Sequence, residues 1–413
     1  NQYGQLGDGT ISGSARTCPV AVSTSLNFSA ISANHGHTCG LSNGAGYCWG
    51  SNSYGQLGDG STNTRLTPVA VSTAVAFSSI VVGQDFTCAL ASSDGSAYCW
   101  GYNGHGELGD GASNQNQNVP TAVNTAVKFA SLSNGGSHVC GVAVSTGAAY
   151  CWGYNEYGQL GDGTAVGRNL PVAVSTSVLF STLVTGAYHT CGLSTGGVPY
   201  CWGRNIAGQL GDTTSADHLL PAAVSTSLTF ASLVGGHNHA CGIATSDGAT
   251  YCWGYNYAGE LGDGTLTIRR SPVAVSTSVL FSALAGATHG TCGVAAATGT
   301  IYCWGNNAQG QLGDGTTTNR LTPVAAMACA PSTTSTATSS STSTASSTAS
   351  SSSSSSSSGT STSTGSATST STATSSGSSS ASSTGTGSAT STSTATSTGS
   401  AVVPLALLAL GIQ

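Results

Sequence analysis

The 413-residue sequence carries fourteen cysteines and nine histidines, and their spacing decides between disulfide and metal chemistry. Twelve cysteines fall into six local pairs: Cys39 with Cys48, Cys88 with Cys99, Cys140 with Cys151, Cys191 with Cys201, Cys241 with Cys252, and Cys292 with Cys303. His37, His138, His189 and His239 each stand two residues before a cysteine, on the same face of a strand, which makes zinc the rival reading. Against it, no CxxC spacing occurs, Phe86 takes the histidine's place in the second copy, and His289 lies three residues from Cys292. The expectation is therefore bridges, with no metal and no cofactor. Asn43-Gly44, a strong two-residue hairpin signal, lies midway between Cys39 and Cys48 and would set them opposite each other. Separations of 11 keep that parity, and Thr195-Gly196-Gly197 can supply the odd-length loop that Cys191 and Cys201 need. Opposed residues of an antiparallel ladder lie about 4.5 to 5.5 Å apart, within disulfide reach. Cys18 and Cys329 remain, beside the first and last PVAV segments. They are expected to clasp the two ends of a ring, unless Cys18 pairs with an upstream cysteine.

Seven of the fourteen acidic residues are the Asp of a recurring LGD: Asp8, Asp59, Asp110, Asp162, Asp212, Asp263 and Asp314. A repeated carboxylate invites calcium or catalysis. An Asx turn followed by a positive-φ glycine accounts for it better, with Thr213 replacing that glycine in one copy. Catalysis needs one asymmetric constellation rather than seven equivalent ones, and no GxSxG, HExxH, phosphate-cradling or paired-carboxylate motif appears. The chain is not expected to be an enzyme. A specific surface would lie where the copies differ. The candidate binding residues are Tyr102, His105, Tyr154, Tyr157, Arg204, Tyr255 and Tyr257 beside a repeated Asn, with Asp85, Tyr188, His237 and Asn238 just before the cysteines. Tyrosine and arginine are enriched at interface hot spots.

These residues are positioned by a repeat. The leucine of GQLGDG recurs at Leu6, Leu57, Leu108, Leu160, Leu210, Leu261 and Leu312, and the tryptophan of YCWG at Trp49, Trp100, Trp152, Trp202, Trp253 and Trp304. Both series have a period of 50 to 52 residues. Within one period, Pro68 to Val71, Phe77 to Val82, Phe86 to Leu90 and Tyr98 to Gly101 read as strands, one small antiparallel sheet per period. Such a sheet cannot bury both faces alone, so copies must stack, and ring closure hides most edges. The tryptophans are expected to pack between sheets.

The period, the WGxNxxGQLGDG string at Trp100 to Gly111 and Trp152 to Gly163, and the GxxHT string at Gly186 to Thr190 resemble the regulator of chromosome condensation repeat. The resemblance covers residues 1 to about 329 and implies an all-β, seven-bladed β-propeller, here with six complete repeats and a partial one. It also implies guanine-nucleotide exchange on the small GTPase Ran, through a wedge-like insertion in one blade and a basic tail. The regular period leaves no room for the wedge, the basic tail is missing, and Lys128 is the only lysine. The chain opens on the segment that elsewhere follows Trp-Gly. It reads as a fragment whose upstream part held a signal peptide and the outstanding strands of one blade, with Pro323 to Ala325 adding the strand that completes that blade.

Three regions follow: the propeller over 1–329, a Ser/Thr-rich disordered stalk over 330–400 suited to O-linked glycans, and an apolar tail over 401–413. The tail fits a lipid-anchor signal with Gly387, Ser388 and Ala389 as attachment site. Asn27 begins an N-glycan acceptor tripeptide. Charged residues make up 5% of the chain and the formal net charge is −6, so no surface exists for neutralising nucleic acid. Paired cysteines imply an oxidising compartment. The expected function is a secreted or cell-surface binding module, monomeric, presenting propeller loops to a protein or glycan. The alternative is an exchange-factor-like regulator of a small GTPase.

Overall fold

The computed structural model describes residues 1–327. Among them every regular element is a β-strand, in six four-stranded antiparallel sheets that follow one another along the chain. These blades span residues 30–70, 77–122, 129–173, 180–223, 230–274 and 281–325. Blade 2 shows the logic. Its inner strand Phe77–Val82 alternates buried and more exposed residues, while its second strand Phe86–Ala91 is buried throughout, because neighbouring blades cover both of its faces. The third strand Ala97–Gly101 ends on the Trp-Gly pair, and the outer strand Gln117–Ala122 is half exposed.

The cysteine pairs lie opposite each other between second and third strands, and the structure bonds all six. Asn43 and Gly44 both have positive φ, 51° and 78°, and turn the first of these hairpins. Each bridge lies within the contact between blades. Cys39, Cys48 and Leu41 pack with Phe77, Ile80 and Trp100 of the next blade, as Cys140 and Cys151 do with Phe180, Leu183 and Trp202. The tryptophan nitrogens of blades 1 to 5 donate to the carbonyl oxygens of Gln5, Gln56, Glu107, Gln159 and Gln209.

Two expectations are corrected. The PVAV segment does not open the sheet of its own period: Val69 lies opposite Cys48, and Pro68 to Val71 closes the preceding blade. Val324 likewise lies opposite Cys303, so the strand Arg320–Ala325 completes blade 6, not a seventh. The cause is the loop after Trp-Gly, which is wired tightly enough to send the chain back along the strand it has just left.

Among the described residues there are six complete blades. A seventh station in the circuit exists without a sheet. The glycine of each LGDG turn, or Thr213 in its place, donates its N–H to the outer strand of the following blade, as Gly60 does to Asn118 and Gly264 to Leu321. At the seam Gly315 donates to Thr17 and Gly9 to Leu66, so residues 1–24 stand between blades 6 and 1. The apolar cluster that blade 6 forms with Leu312 contains no Phe or Trp, the residues a further sheet would supply. Cys18 is disulfide-bonded. Its expected partner Cys329, the stalk and the tail with Gly387, Ser388 and Ala389 lie outside the described residues.

Candidate functional site

The loop from third to outer strand is the most ordered irregular segment of each repeat. In repeat 3, Asn155 accepts from the Leu160 amide and donates to Asp162 Oδ1 at 3.2 Å and to the Thr164 and Val166 carbonyls. Asp162 accepts the Thr164 amide and hydroxyl and the Arg168 guanidinium. All seven LGD aspartates accept the amide two residues on, and the next residue has positive φ throughout. Burial disfavours ionisation of Asp59 and Asp162, but the hydroxyl, amide and arginine bonds outweigh it and hold both below the ordinary carboxylate range. Their lone pairs are committed to the loop. Among the described residues no group of three His, Cys, Asp or Glu side chains could hold a metal.

The buried histidines are structural as well. His37, His138 and His239 place Nε2 2.9 Å from the hydroxyls of Thr87, Thr190 and Thr291 on the following blade. Those hydroxyls donate to the carbonyls of Gln56, Gln159 and Glu260, so they accept from the imidazoles. Burial pushes these histidines, and His189, down to about 3.

The rigid loop aims one variable side chain outward. Tyr102, Tyr154, Arg204 and Tyr255 directly follow the Trp-Gly pair, and their amides donate to the carbonyls of Asp85, Ser137, Tyr188 and Asn238 in the turn between inner and second strands. The preceding glycine is obligatory: Gly153 has φ 101°, and a Cβ there would lie 2.6 Å from the Ser137 oxygen. These two turns of every blade therefore share one face of the propeller.

On that face the rings form an unbroken row from blade 1 to blade 6. Tyr54 meets Tyr102 at 5.0 Å between centroids, Tyr102 meets His105 at 6.2 Å, and His105 meets Tyr154 at 4.9 Å. Tyr154 touches both Tyr157 and Tyr188, which lie 5.4 Å from each other. Tyr188 meets His237, and His237 stacks on His289 at 5.8 Å. The Arg204 guanidinium lies 4.8 Å from the Tyr157 centroid and 5.6 Å from that of Tyr188. Tyr154 donates to Glu156 at 2.6 Å; burial and that carboxylate raise the phenol's pKa.

Of the sequence-picked residues, Tyr102, His105, Tyr154, Tyr157, Tyr188, Arg204 and His237 belong to this row. Tyr255 and Tyr257 form a separate pair at 4.8 Å, Tyr257 being 63% exposed. Tyr54 and His289 were not among the candidates. Tyr54 holds the same loop position as His105 and Tyr157, which was the available signal. The last two members of the row, His237 and His289, line a cavity of about 570 Å³ between the inner strands, with Ser32, Asn34, Ser133, Asn134 and Thr185 also on its wall.

Comparison with known proteins gives these features a family. The chain is 28% identical over 331 residues to the ultraviolet-B receptor UVR8 of Arabidopsis thaliana, covering 78% of this chain and 62% of that protein. It is 28% identical over 239 residues to the probable E3 ubiquitin-protein ligase HERC4 of Mus musculus, covering 56% of this chain and 18% of that one. The chain thus spans less than two thirds of either relative. Among solved structures, human WBSCR16 superposes with a TM-score of 0.68 at 18% identity, covering 76% of this chain and 85% of that one. Prp20p of Saccharomyces cerevisiae superposes with a TM-score of 0.64 at 21% identity, covering 72% and 76%. The model of the regulator of chromosome condensation (RCC1) repeat matches residues 298–344 and that of the RCC1-like domain matches residues 1–293, so the chain belongs to the RCC1-like domain family.

Proposed function

We propose that this propeller is a non-catalytic binding module, secreted or displayed at the cell surface, which presents the face bearing the tyrosine row to a protein or glycan. The observation that carries the reading is the row itself. Rings on six blades are held by rigid loops and by one another, so little side-chain freedom remains to be lost on binding. The six buried bridges favour an oxidising compartment, and Asn27 is exposed and open to glycosylation. In this reading the propeller works as a monomer, with neither nucleic acid nor cofactor. The stalk would hold the face away from the cell, with a lipid anchor as its one membrane attachment.

Exchange on a small GTPase lacks a comparable observation, since the described residues contain only four-stranded blades and their turns, with no inserted wedge. The test uses the oxidised full chain, labelled and applied to cells that make it. Tyr102→Ser, Tyr154→Ser, Arg204→Ser and Tyr255→Ser combined should abolish staining, while a retained cooperative melting transition shows that the loss of these half-buried side chains leaves the propeller folded. Undiminished staining, or acceleration of nucleotide release from Ran by the oxidised and reduced chain alike, would overturn the reading.

A further inference from the structure

We propose that the occupant of this face is a neutral oligosaccharide chain, laid along the row from Tyr102 through Tyr154, Tyr157 and Tyr188 to His237, where its hydroxyls enter the cavity. The proposal rests on the reading of this face as a binding site and adds the chemical class of ligand.

The side chains in the row are of one kind. From Tyr54 to His289 every ring is a tyrosine or a histidine, with an apolar body and a hydrogen-bonding tip. The row contains no Phe, Trp or Met, the less polar members of the residue set enriched at protein interfaces. Exposed leucines lie on the outer strands, at Leu170, Leu219 and Leu220, while Ile206, two residues after Arg204, is an exposed aliphatic side chain in the row's own loop of blade 4. Pyranose rings have the complementary structure, with apolar C–H faces and a polar rim of hydroxyls.

Charge narrows the class further. The row's single permanent cation, Arg204, is stacked over Tyr157 and Tyr188. Its neighbouring carboxylate, Glu156, is engaged by the Tyr154 hydroxyl. Burial lowers the pKa of both His237 and His289, so these two imidazoles add no positive charge at neutral pH. Nothing here neutralises a polyanion, which excludes acidic glycans and nucleic acid in favour of an uncharged chain. The cavity supplies the polar half of the site. Its wall carries serine, threonine and asparagine side chains. These hydroxyl and amide groups can donate to and accept from sugar hydroxyls.

The experiment titrates the oxidised full chain with cellohexaose, laminarihexaose, chitohexaose and mannohexaose, against polygalacturonate and heparin, in low and high salt. At least one neutral hexasaccharide should bind with an affinity indifferent to salt. Tyr154→Ala and Tyr157→Ala should each weaken it about tenfold or more, the scale of one lost ring contact, while Leu219→Ala on the outer strand leaves it unchanged. Binding confined to the acidic polymers and abolished by salt would overturn the assignment, as would no binding to any neutral probe. The parent reading is separated by the cell-staining assay. Staining lost in the four-residue variant but resistant to periodate oxidation of the cells would keep the binding face and discard the carbohydrate. Staining indifferent to both treatments would discard both.

Discussion

Ala240 occupies the position at which Thr87, Thr190 and Thr291 meet the buried histidine of the preceding blade, and His189, the histidine facing that position, has neither ring nitrogen hydrogen-bonded. In the second blade the sequence resolves the same mismatch differently: Phe86 replaces the histidine and Val139 the threonine, both in one apolar cluster. His189 and Ala240 are the uncompensated case.

Ala240→Thr should therefore stabilise the protein. The new hydroxyl would donate to the Gln209 carbonyl, which already accepts from Trp253, and accept from His189 Nε2, as its counterparts do in the other blades. A satisfied buried hydrogen bond contributes about 1 kcal/mol, and more where it relieves an unpaired group. Equilibrium unfolding in urea measures the gain. A loss of stability would show that the pocket beside His189 has closed and cannot admit the extra atoms.

Glu107 provides a pH-dependent prediction. It replaces the glutamine of the repeat and is fully buried, with Oε2 accepting the His105 amide at 2.8 Å. Burial pushes its pKa up to about 7; the His105 and Glu107 amides and the Ser137 hydroxyl pull it down, and the nearby Asp85 charge adds to the rise. An acid whose folded pKa is raised binds its proton more tightly when folded, so stability falls as pH climbs from about 4.5 to about 7. Glu107→Gln should leave stability unchanged near pH 4 and raise it by up to about 3 kcal/mol above pH 7. The buried histidines act in the opposite direction, losing stability as pH falls from 6.5 towards 3. Both proteins contain them, so comparison at equal pH cancels their effect. A stability difference that does not change with pH would show Glu107 to be ionised in the fold.

Thr213 tests the turn chemistry. Six copies place glycine after the LGD aspartate, and the seventh holds Thr213 at φ 76° with its side chain exposed. A β-branched residue there is strained, while its N–H still donates to the Arg270 carbonyl. Thr213→Gly should keep that bond and gain about 1 kcal/mol, read from the denaturant midpoint; an unchanged or lowered midpoint would deny the strain.

The sequence disclosed those features whose cause is local. Asn43-Gly44 turns a hairpin by its own backbone preference, the LGD aspartates cap their own loops, and cysteine parity follows from the pleat. Blade boundaries were misread because the partner of Val69 is chosen by the loop between Asn52 and Arg65, whose hydrogen bonds to Asp59 are visible only after folding. The seventh copy of the LGD turn, in residues 1–24, occupies a station in the ring beside Gly315 without a sheet of its own among the described residues. Tyr102 and Tyr154 stood out as variable positions, but their joining through His105 and Tyr188 comes from contacts between blades.

The placement of the bridges at the joints between blades leads to the last prediction. Cys140 and Cys151 are wholly buried and pack against Phe180, Leu183 and Trp202 of the next blade. In the chain-entropy model a bridge closing so short a loop contributes roughly 3 kcal/mol, through the unfolded state alone. Here the sulfur atoms are also part of the wall between two sheets, so removing them costs packing in the folded state. Cys140→Ala with Cys151→Ala should lose clearly more than the entropic share and loosen blade 4 against blade 3. Hydrogen exchange should then rise first in the strand Phe180–Thr185 and beside Trp202, ahead of the distant blade 6. Cys140→Val with Cys151→Ala, which restores apolar volume without the bond, should recover part of the loss. Equal losses in the two variants, with exchange unchanged in blade 4, would show that the bridge acts only on the unfolded chain and that the joint between blades is held without it.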